Sequence, residues 1–432
     1  MLPRSTSSLA CSSTIPVAAR SQALQMMLSV TALGRSPSRR GCPFAGLRSW
    51  GRPAQLRWPL PPSQLRRAVG VAAADQQAGL WQDFKEWLGD TGGDPGHWNL
   101  SPQWWGTQGE AWGRDEGRTV FAAQSKHNGN VTVTAHDAVP LGGSEEEGLG
   151  VPEEWRVLRF NDTTRQSAAR VKVAADGSVA ANLACLAQEY LKSMACVSAA
   201  IMGLQHQGAQ AVEQPLQILC IGVGGGALPL FLAHHFPAAT VQAVEIDPVV
   251  VEAATTHMGF RELPNLQLHT CDAVDFLQQP ESGAISGTKY DLILIDAFDG
   301  EDNTPAALCS EEFSGMLADA LDPAKGALIM NVHGRRELGP AKEYYHAMRE
   351  LAGNTDFCVC FTLEAKAQPN TALVIAYRLD VSPDPDLAEP RLREAAVQVA
   401  EAAGFPFRAK RRAASTYRRV LMNVKGDVMF LI

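Results

Sequence analysis

The stretch Ile218-Leu219-Cys220-Ile221-Gly222-Val223-Gly224-Gly225-Gly226-Ala227-Leu228-Pro229 decides the fold, read together with Val244-Glu245-Ile246-Asp247-Pro248 downstream. An apolar run that breaks into glycines, restarts as a helix and returns as a second apolar run ending in carboxylates is the front half of a nucleotide-binding βαβ unit. Glycine without a Cβ lets the chain turn tightly and lets a ligand approach the backbone N–H groups. Pro229 suits the first turn of the helix that follows. Glu245, closing the second run, stands where an acid accepts hydrogen bonds from a ribose diol. These features point to an adenosine-containing cofactor. A dinucleotide would read Gly222-x-Gly224-x-x-Ala227 as its fingerprint, whereas S-adenosyl-L-methionine would use the same loop for its amino-acid portion, and the loop alone does not separate the two.

Working outward, residues 266–273 read as a third strand ending in Asp272, and residues 290–299 as a fourth ending in Asp296-Ala297-Phe298-Asp299. Apolar residues recur at helical spacing over 183–204, which predicts a long amphipathic helix leading into the first strand. Ser310 is an N-cap for a helix over 311–321, and 326–332 is a fifth strand. A helix over 337–351 and strands over 357–363 and 371–377 complete a seven-stranded, Rossmann-like α/β sheet. In front of it, 131–134 and 155–160 have strand composition, with Asn161-Asp162 as a turn signal, and predict a small antiparallel β region. A Pro-rich hinge at 382–385 leads to a helix over 391–403 and a terminal strand over 428–432.

Composition bounds the rest. Residues 1–74 hold ten arginines and no Asp, Glu or Lys, the composition of an organelle transit peptide rather than a folded domain. A chloroplast destination is expected, with the mitochondrion as the alternative. Losing those ten arginines leaves 28 basic against 46 acidic residues, a net charge of −18 instead of −8. So acidic a chain is a poor general binder of nucleic acid, and no apolar run is long enough to span a membrane. The organisation expected is a leader over 1–74, a Trp/Gly-rich β region over 75–180, the cofactor-binding domain over 181–380 and a C-terminal extension over 381–432. Six of the nine tryptophans, at 81, 87, 98, 104, 105 and 112, fall between residue 81 and about residue 150 of that region and read as its core. The cysteines beyond the leader are scattered, without a Cys-x-x-Cys pair or zinc spacing, and no metal site is expected. His234, His235 and His333 read as satisfied or surface histidines. Arg408, Lys410, Arg411, Arg412, Arg418 and Arg419 read as a solvated basic face.

Acids at the ends of successive strands resemble the class I S-adenosylmethionine-dependent methyltransferases. The segments Phe160-Asn161-Asp162-Thr163, Gln166-Ser167, Glu189-Tyr190 and Asp296 to Asp299 with Pro305 are similar to the spermidine-synthase-like branch, in which a small β domain precedes the Rossmann domain. Within it, Tyr190-Leu191-Lys192-Ser193-Met194 and the run from Gly224 to Pro248 resemble the C-terminal half of the methyltransferase-like proteins that modify elongation factor 1-alpha, a half that methylates a protein N-terminal amine. The resemblance implies S-adenosyl-L-methionine as cofactor. It assigns Gly222, Gly224, Gly225 and Gly226 to the methionine portion, Glu245 to the ribose and Asp272 to the adenine amino group, with Ile246, Ala273 and Asp296 also in the cofactor site. Tyr190 and Asp299 go to the substrate, with Asp299 and Asp296 as candidate catalytic acids and a homodimer as the assembly.

Three activities compete. Methyl transfer to an amine, of a protein such as a translation factor or of a small molecule, needs a neutral nucleophile held in line and water excluded. Aminopropyl transfer needs several carboxylates around a polyamine; the positions around Tyr190 where that family keeps acids hold Leu186, Ala187 and Lys192, and a cation at Lys192 would repel a polyamine. A cofactor-binding protein without chemistry is the third. No Asn-Pro-Pro-Tyr-type segment follows Ile295, which argues against amide or adenine nitrogens as acceptors.

Overall fold

Four short runs with almost no polar interruption, QILCI, TVQAVE, LILI and ALIMNVH, form strands buried on both faces, as a parallel sheet under two layers of helices requires. The computed structural model describes residues 94–96, 117–138, 153–161, 164–278, 289–301, 303–333, 344, 346–347, 350, 358–364, 370–379, 381–382, 384–413, 417–422 and 428–430. All of these lie in one compact unit, residues 83–141 and 147–432. The predicted leader, the six tryptophans between 81 and 112 and the acidic loop 144–148 lie outside the described residues. Of the helix predicted over 337–351, residues 344, 346, 347 and 350 are described, and they are helical.

Strands β1 (Arg118–Ser125), β2 (Gly129–Asp137), β3 (Glu153–Phe160), β4 (Thr164–Val173) and β5 (Val179–Ala181) form an antiparallel meander. Helix α1 (Glu189–Gln205) then leads into β6 (Gln217–Ile221), α2 (Ala227–His235), β7 (Thr240–Glu245), α3 (Pro248–Glu252), β8 (Leu266–Thr270), α4 (Ala273–Gln278), β9 (Leu292–Ile295), α5 (Glu311–Ala320) and β10 (Ala327–His333). Strands β11 (Cys358–Glu364) and β12 (Asn370–Tyr377), helix α6 (Pro385–Ala402) and strands β13 (Tyr417–Met422) and β14 (Val428–Phe430) complete the chain. The second sheet runs β14-β13-β11-β12-β10-β9-β6-β7-β8. From β8 to β10 it is parallel; β12 is antiparallel to both β10 and β11. Its central seven strands therefore have the order of the Rossmann-like methyltransferase fold, and β13 and β14 extend it to nine.

The two sheets share an apolar layer. Val131, Val133, Leu158, Phe160, Ala169 and Val171 of the meander pack on Val250, Ala253 and Met258 at and after α3. Asn161 turns the β3–β4 corner with φ 48°, a left-handed conformation that asparagine tolerates better than most residues.

Helix α1 differs from its prediction. It starts at Glu189, not at residue 183, and is buried on every side from Leu191 to Gly203. α6 is the reason: its Ala388, Leu392, Ala396 and Val399 join the same core as Met194, Val197 and Ile201, covering the side expected to face water. The polar residues on that side are satisfied locally, since Ser193 and Ser198 donate to the carbonyls of Glu189 and Met194. Each large apolar side chain of α1 removed from water contributes roughly 1.5–3 kcal/mol. α6 begins earlier than residue 391, because Asp384 caps it and Pro385 occupies its first turn.

Candidate active site

In an open α/β sheet the crevice forms beyond the strand ends where neighbouring connections leave in opposite directions. Here that point is β6, with β7 on one side and β9 on the other; Ile221 is in register with both Val244 and Ile295. The next residues, Gly222, Glu245 and Asp296, therefore emerge side by side. Gly222 has φ 86°, and a Cβ there would collide with the carbonyl oxygen of Asp296. Gly226, with φ 79°, is the residue from which α2 springs, and a Cβ there would run into the Phe260 ring. Only glycine fits both positions.

A cavity opens above this crevice. Its lining includes Gly222, Val223, Gly224, Glu245, Ile246, Asp272 and Ala273, together with Tyr190, Asp296, Phe298, Asp299 and Pro305. The structure thus brings the predicted residues together, with two exceptions: Gly225 and Gly226 do not line the cavity, and Gly226 serves the loop's shape. Glu245 Oε2 accepts from the Val223 N–H at 2.9 Å and the Gly224 N–H at 3.4 Å, while Oε1 accepts from the Asp247 N–H at 3.1 Å. Burial pushes the Glu245 carboxyl above its ordinary value, with the three N–H groups working the other way. Ile246 is 42% exposed, an apolar surface presented at the cavity. Asp272 Oδ1 accepts from the Val274 N–H at 2.8 Å.

Beside Gly222, Asp296 is held from two directions. Tyr190 donates its hydroxyl to Oδ2 at 3.2 Å, and Asn331 donates from Nδ2 to Oδ1 at 2.8 Å. Asp299 Oδ1 accepts from the N–H groups of Glu301 and Asn303, both at 2.9 Å, and so organises its own loop while facing the cavity.

Sequence reasoning missed the contribution of the meander. His127 and Asn128, at the β1–β2 turn, and Gln166 and Ser167, on β4, line the same cavity. Asn128 Nδ2 and Ser125 Oγ both donate to the fully buried Asp247, whose Oδ1 caps α3 through the Val249 N–H. Asn161 Nδ2 donates to the Gly300 carbonyl at 2.8 Å. The β1–β2 turn is therefore bolted beside Glu245, and the β3–β4 corner beside Asp299. In the sequence, Phe160 to Thr163 and Gln166-Ser167 stand out only as marks of resemblance, and Ser125 to Asn130 not at all.

Lys192 is a correction. It does not reach the cavity: its ammonium is buried, 2.8 Å from Asp94 and 3.1 Å from Glu189. Glu189 also receives two donors of Arg412, at 3.0 and 3.1 Å. Lys192 and Arg412 both lie over the Phe407 ring. Burial alone would raise the Glu189 carboxyl, but Lys192 and Arg412 outweigh it and hold it below its ordinary value. Repulsion of a polyamine by Lys192 therefore lapses as an argument. Arg412 likewise leaves the supposed solvated basic face, and Arg418 and Arg419 belong to strand β13. Leu186 and Ala187 are fully buried.

Residues 200–359 match the spermine/spermidine synthase domain. Over these residues the chain is similar to that domain. Among relatives, the human eEF1A lysine and N-terminal methyltransferase is 30% identical over 191 residues, 43% of this chain and 26% of that protein. The polyamine aminopropyltransferase of Vibrio vulnificus is 38% identical over 125 residues, 29% of this chain and 40% of that protein. A crystal structure of human methyltransferase-like protein 13 in complex with SAH covers 50% of this chain and 93% of that one, at 26% identity and a TM-score of 0.40. The chain thus spans about a quarter of the length of the first relative and two fifths of the second. Within the matched residues lie the glycine loop, Glu245, Asp272, Asp296, Asp299 and Asn331; Tyr190 and the meander precede them. Among the described residues there is no cluster of three or more metal-ligating side chains, and no helix is long and apolar enough to cross a membrane.

Proposed function

We propose that the chain is an S-adenosylmethionine-dependent methyltransferase acting on an amine, of a protein in preference to a free polyamine. The observation that carries this reading is one cavity lined both by the glycine cradle, Glu245 and Asp272 and by Tyr190, Asp296 and Asp299. The residues fit the cofactor. Gly222 lines the cavity with bare backbone, since a Cβ there would meet the Asp296 carbonyl, Glu245 is an acceptor for a diol, and Ile246 offers an apolar face for a purine. The cofactor supplies an electrophilic methyl group on a sulfonium.

The chain's own residues do the rest. Asp296 and Asp299 accept N–H groups of the incoming amine, orient its lone pair and take up the proton that must leave. The Tyr190 hydroxyl, donating to Asp296, keeps that carboxylate aimed into the cavity. Phe160, Leu191, Phe298 and Pro305 line the walls and keep water from the reacting atoms. The name of the human relative, a lysine and N-terminal methyltransferase of eEF1A, supports a protein amine of a translation factor as acceptor. The arginine-rich composition of residues 1–74 supports a plastid address, which a fluorescent fusion of that segment tests.

Aminopropyl transfer is the second reading, favoured by the similarity to the Vibrio enzyme and by the burial of Lys192. Methyl-tritiated S-adenosylmethionine and extract separate the two. Label entering a protein band, lost in both Asp299→Ala and Asp299→Asn, supports the first reading. Turnover only with decarboxylated cofactor and putrescine overturns it, and no turnover on any acceptor returns the chain to the class of binding proteins without chemistry.

A further inference from the structure

β10 carries a polar residue where its neighbours are apolar. In Ala327-Leu328-Ile329-Met330-Asn331-Val332, Asn331 is 3% exposed, and the parallel register pairing Met330 with Ile295 sets Asn331 beside Asp296. Its amide is committed on both sides: Nδ2 donates to Asp296 Oδ1 at 2.8 Å, and Oδ1 accepts from Asn370 Nδ2 at 3.2 Å. Asn370, itself buried, opens the adjacent antiparallel strand β12. A buried amide pinned at its oxygen has one orientation in which to present its N–H. The chain Asn370 to Asn331 to Asp296, met from the other side by the Tyr190 hydroxyl, fixes the plane of the carboxylate by groups rooted in β10, β12 and α1.

We propose that Asn331 is a positioning residue for the acceptor amine: with Asn370 behind it, it sets the direction in which Asp296 offers its oxygens to the nucleophile. This deepens the amine-transferase reading and rests on it for the identity of the nucleophile. The network itself serves either methyl or aminopropyl transfer. The titratable groups around Asp296 are Tyr190 from α1, Cys220 from β6 and Asp299 on its own loop, with Glu245 and Asp272 lining the same cavity.

Three variants in the full chain test it. Because misplacing a positioned group by about an ångström costs about a hundredfold in rate, Asn331→Ala lowers kcat by that order, measured well below a Tm that the orphaned Asn370 amide lowers, while cofactor affinity stays near wild type. Asn331→Asp sets a second carboxylate against the first, so the pair shares a proton and one apparent pKa rises by more than about one unit. That shift moves the acid limb of the pH–rate profile and the ¹³C carboxyl titration of Asp296, assigned by its loss in Asp296→Asn. Asn370→Ala gives a smaller fall in kcat, because Asn331 keeps its bond to Asp296. Unchanged titration and kcat in Asn331→Asp, or a kcat loss in Asn331→Ala that merely follows lost cofactor binding and Tm, overturns the proposal. A wild type that transfers no group, joined to the shifted carboxyl titration in Asn331→Asp, sinks the reading of the reaction and leaves the network standing.

Discussion

Replacing Lys192 by methionine separates two views of this residue. The side chains of Lys192 and Asp94 are each 1% exposed, and the ammonium is shared between Asp94 and Glu189. Methionine keeps most of the stem's volume against Phe407 and removes the charge. Glu189 retains Arg412, so Asp94 is the carboxylate left without its cation. Removing one partner of a buried pair costs about 3–5 kcal/mol, because the other charge stays desolvated. At a urea m-value of about 3 kcal/mol/M, that loss lowers the unfolding midpoint by roughly 1–1.7 M. Asp94→Asn combined with Lys192→Met removes both charges and regains at least about 2 kcal/mol of the sum of the single losses. Urea titration of the four proteins, followed by tryptophan fluorescence, measures the cycle. A Lys192→Met midpoint close to wild type, joined to tighter binding of putrescine, would refute the reasoning, since it would put the ammonium in the cavity.

Gly226→Ala and Gly177→Ala share a positive φ, but only the first meets the Phe260 ring; the second has open space around it. The second therefore costs about 1 kcal/mol of strain, whereas the first also displaces the glycine loop and abolishes cofactor binding by calorimetry. Burial holds His136 and His235 down at about 4. Their neutral forms stabilise the fold fully above the unfolded value near 6.5, and that stability is lost as pH falls towards 4. After allowance for solvent screening the loss is about 1–2 kcal/mol each, read as falling urea midpoints between pH 7 and 4.5 and flattened in part by His136→Asn. Ser310→Ala removes the bond from Ser310 Oγ to the Phe313 N–H and costs about 1 kcal/mol in thermal unfolding.

Legibility followed the range of the interactions. The glycine loop, Glu245 and Asp272 were readable because their signal is local: an apolar run, a break, an acid at a strand end. Helix α1 was misjudged because periodicity cannot reveal a covering partner. Ser193, Ser198 and Lys192 look like a wet face until Asp94, Arg412 and α6 arrive from distant parts of the chain. β13 was hidden by Arg418-Arg419, whose charges masked the strand composition of Tyr417, Val420, Leu421 and Met422. Asn331 had a visible signal, one amide in an apolar strand, but its meaning depended on register with β9.

The burial of α1 under α6 also carries a cost during synthesis. The helix leaves the ribosome with its apolar sides bare, and its cover is translated about two hundred residues later. At about 5–20 residues per second, that interval lasts roughly 10–40 s. Throughout it, the segment that bears Tyr190 is a sticky intermediate needing a chaperone's shelter, and a chain that stops short of α6 is bound for aggregation or degradation.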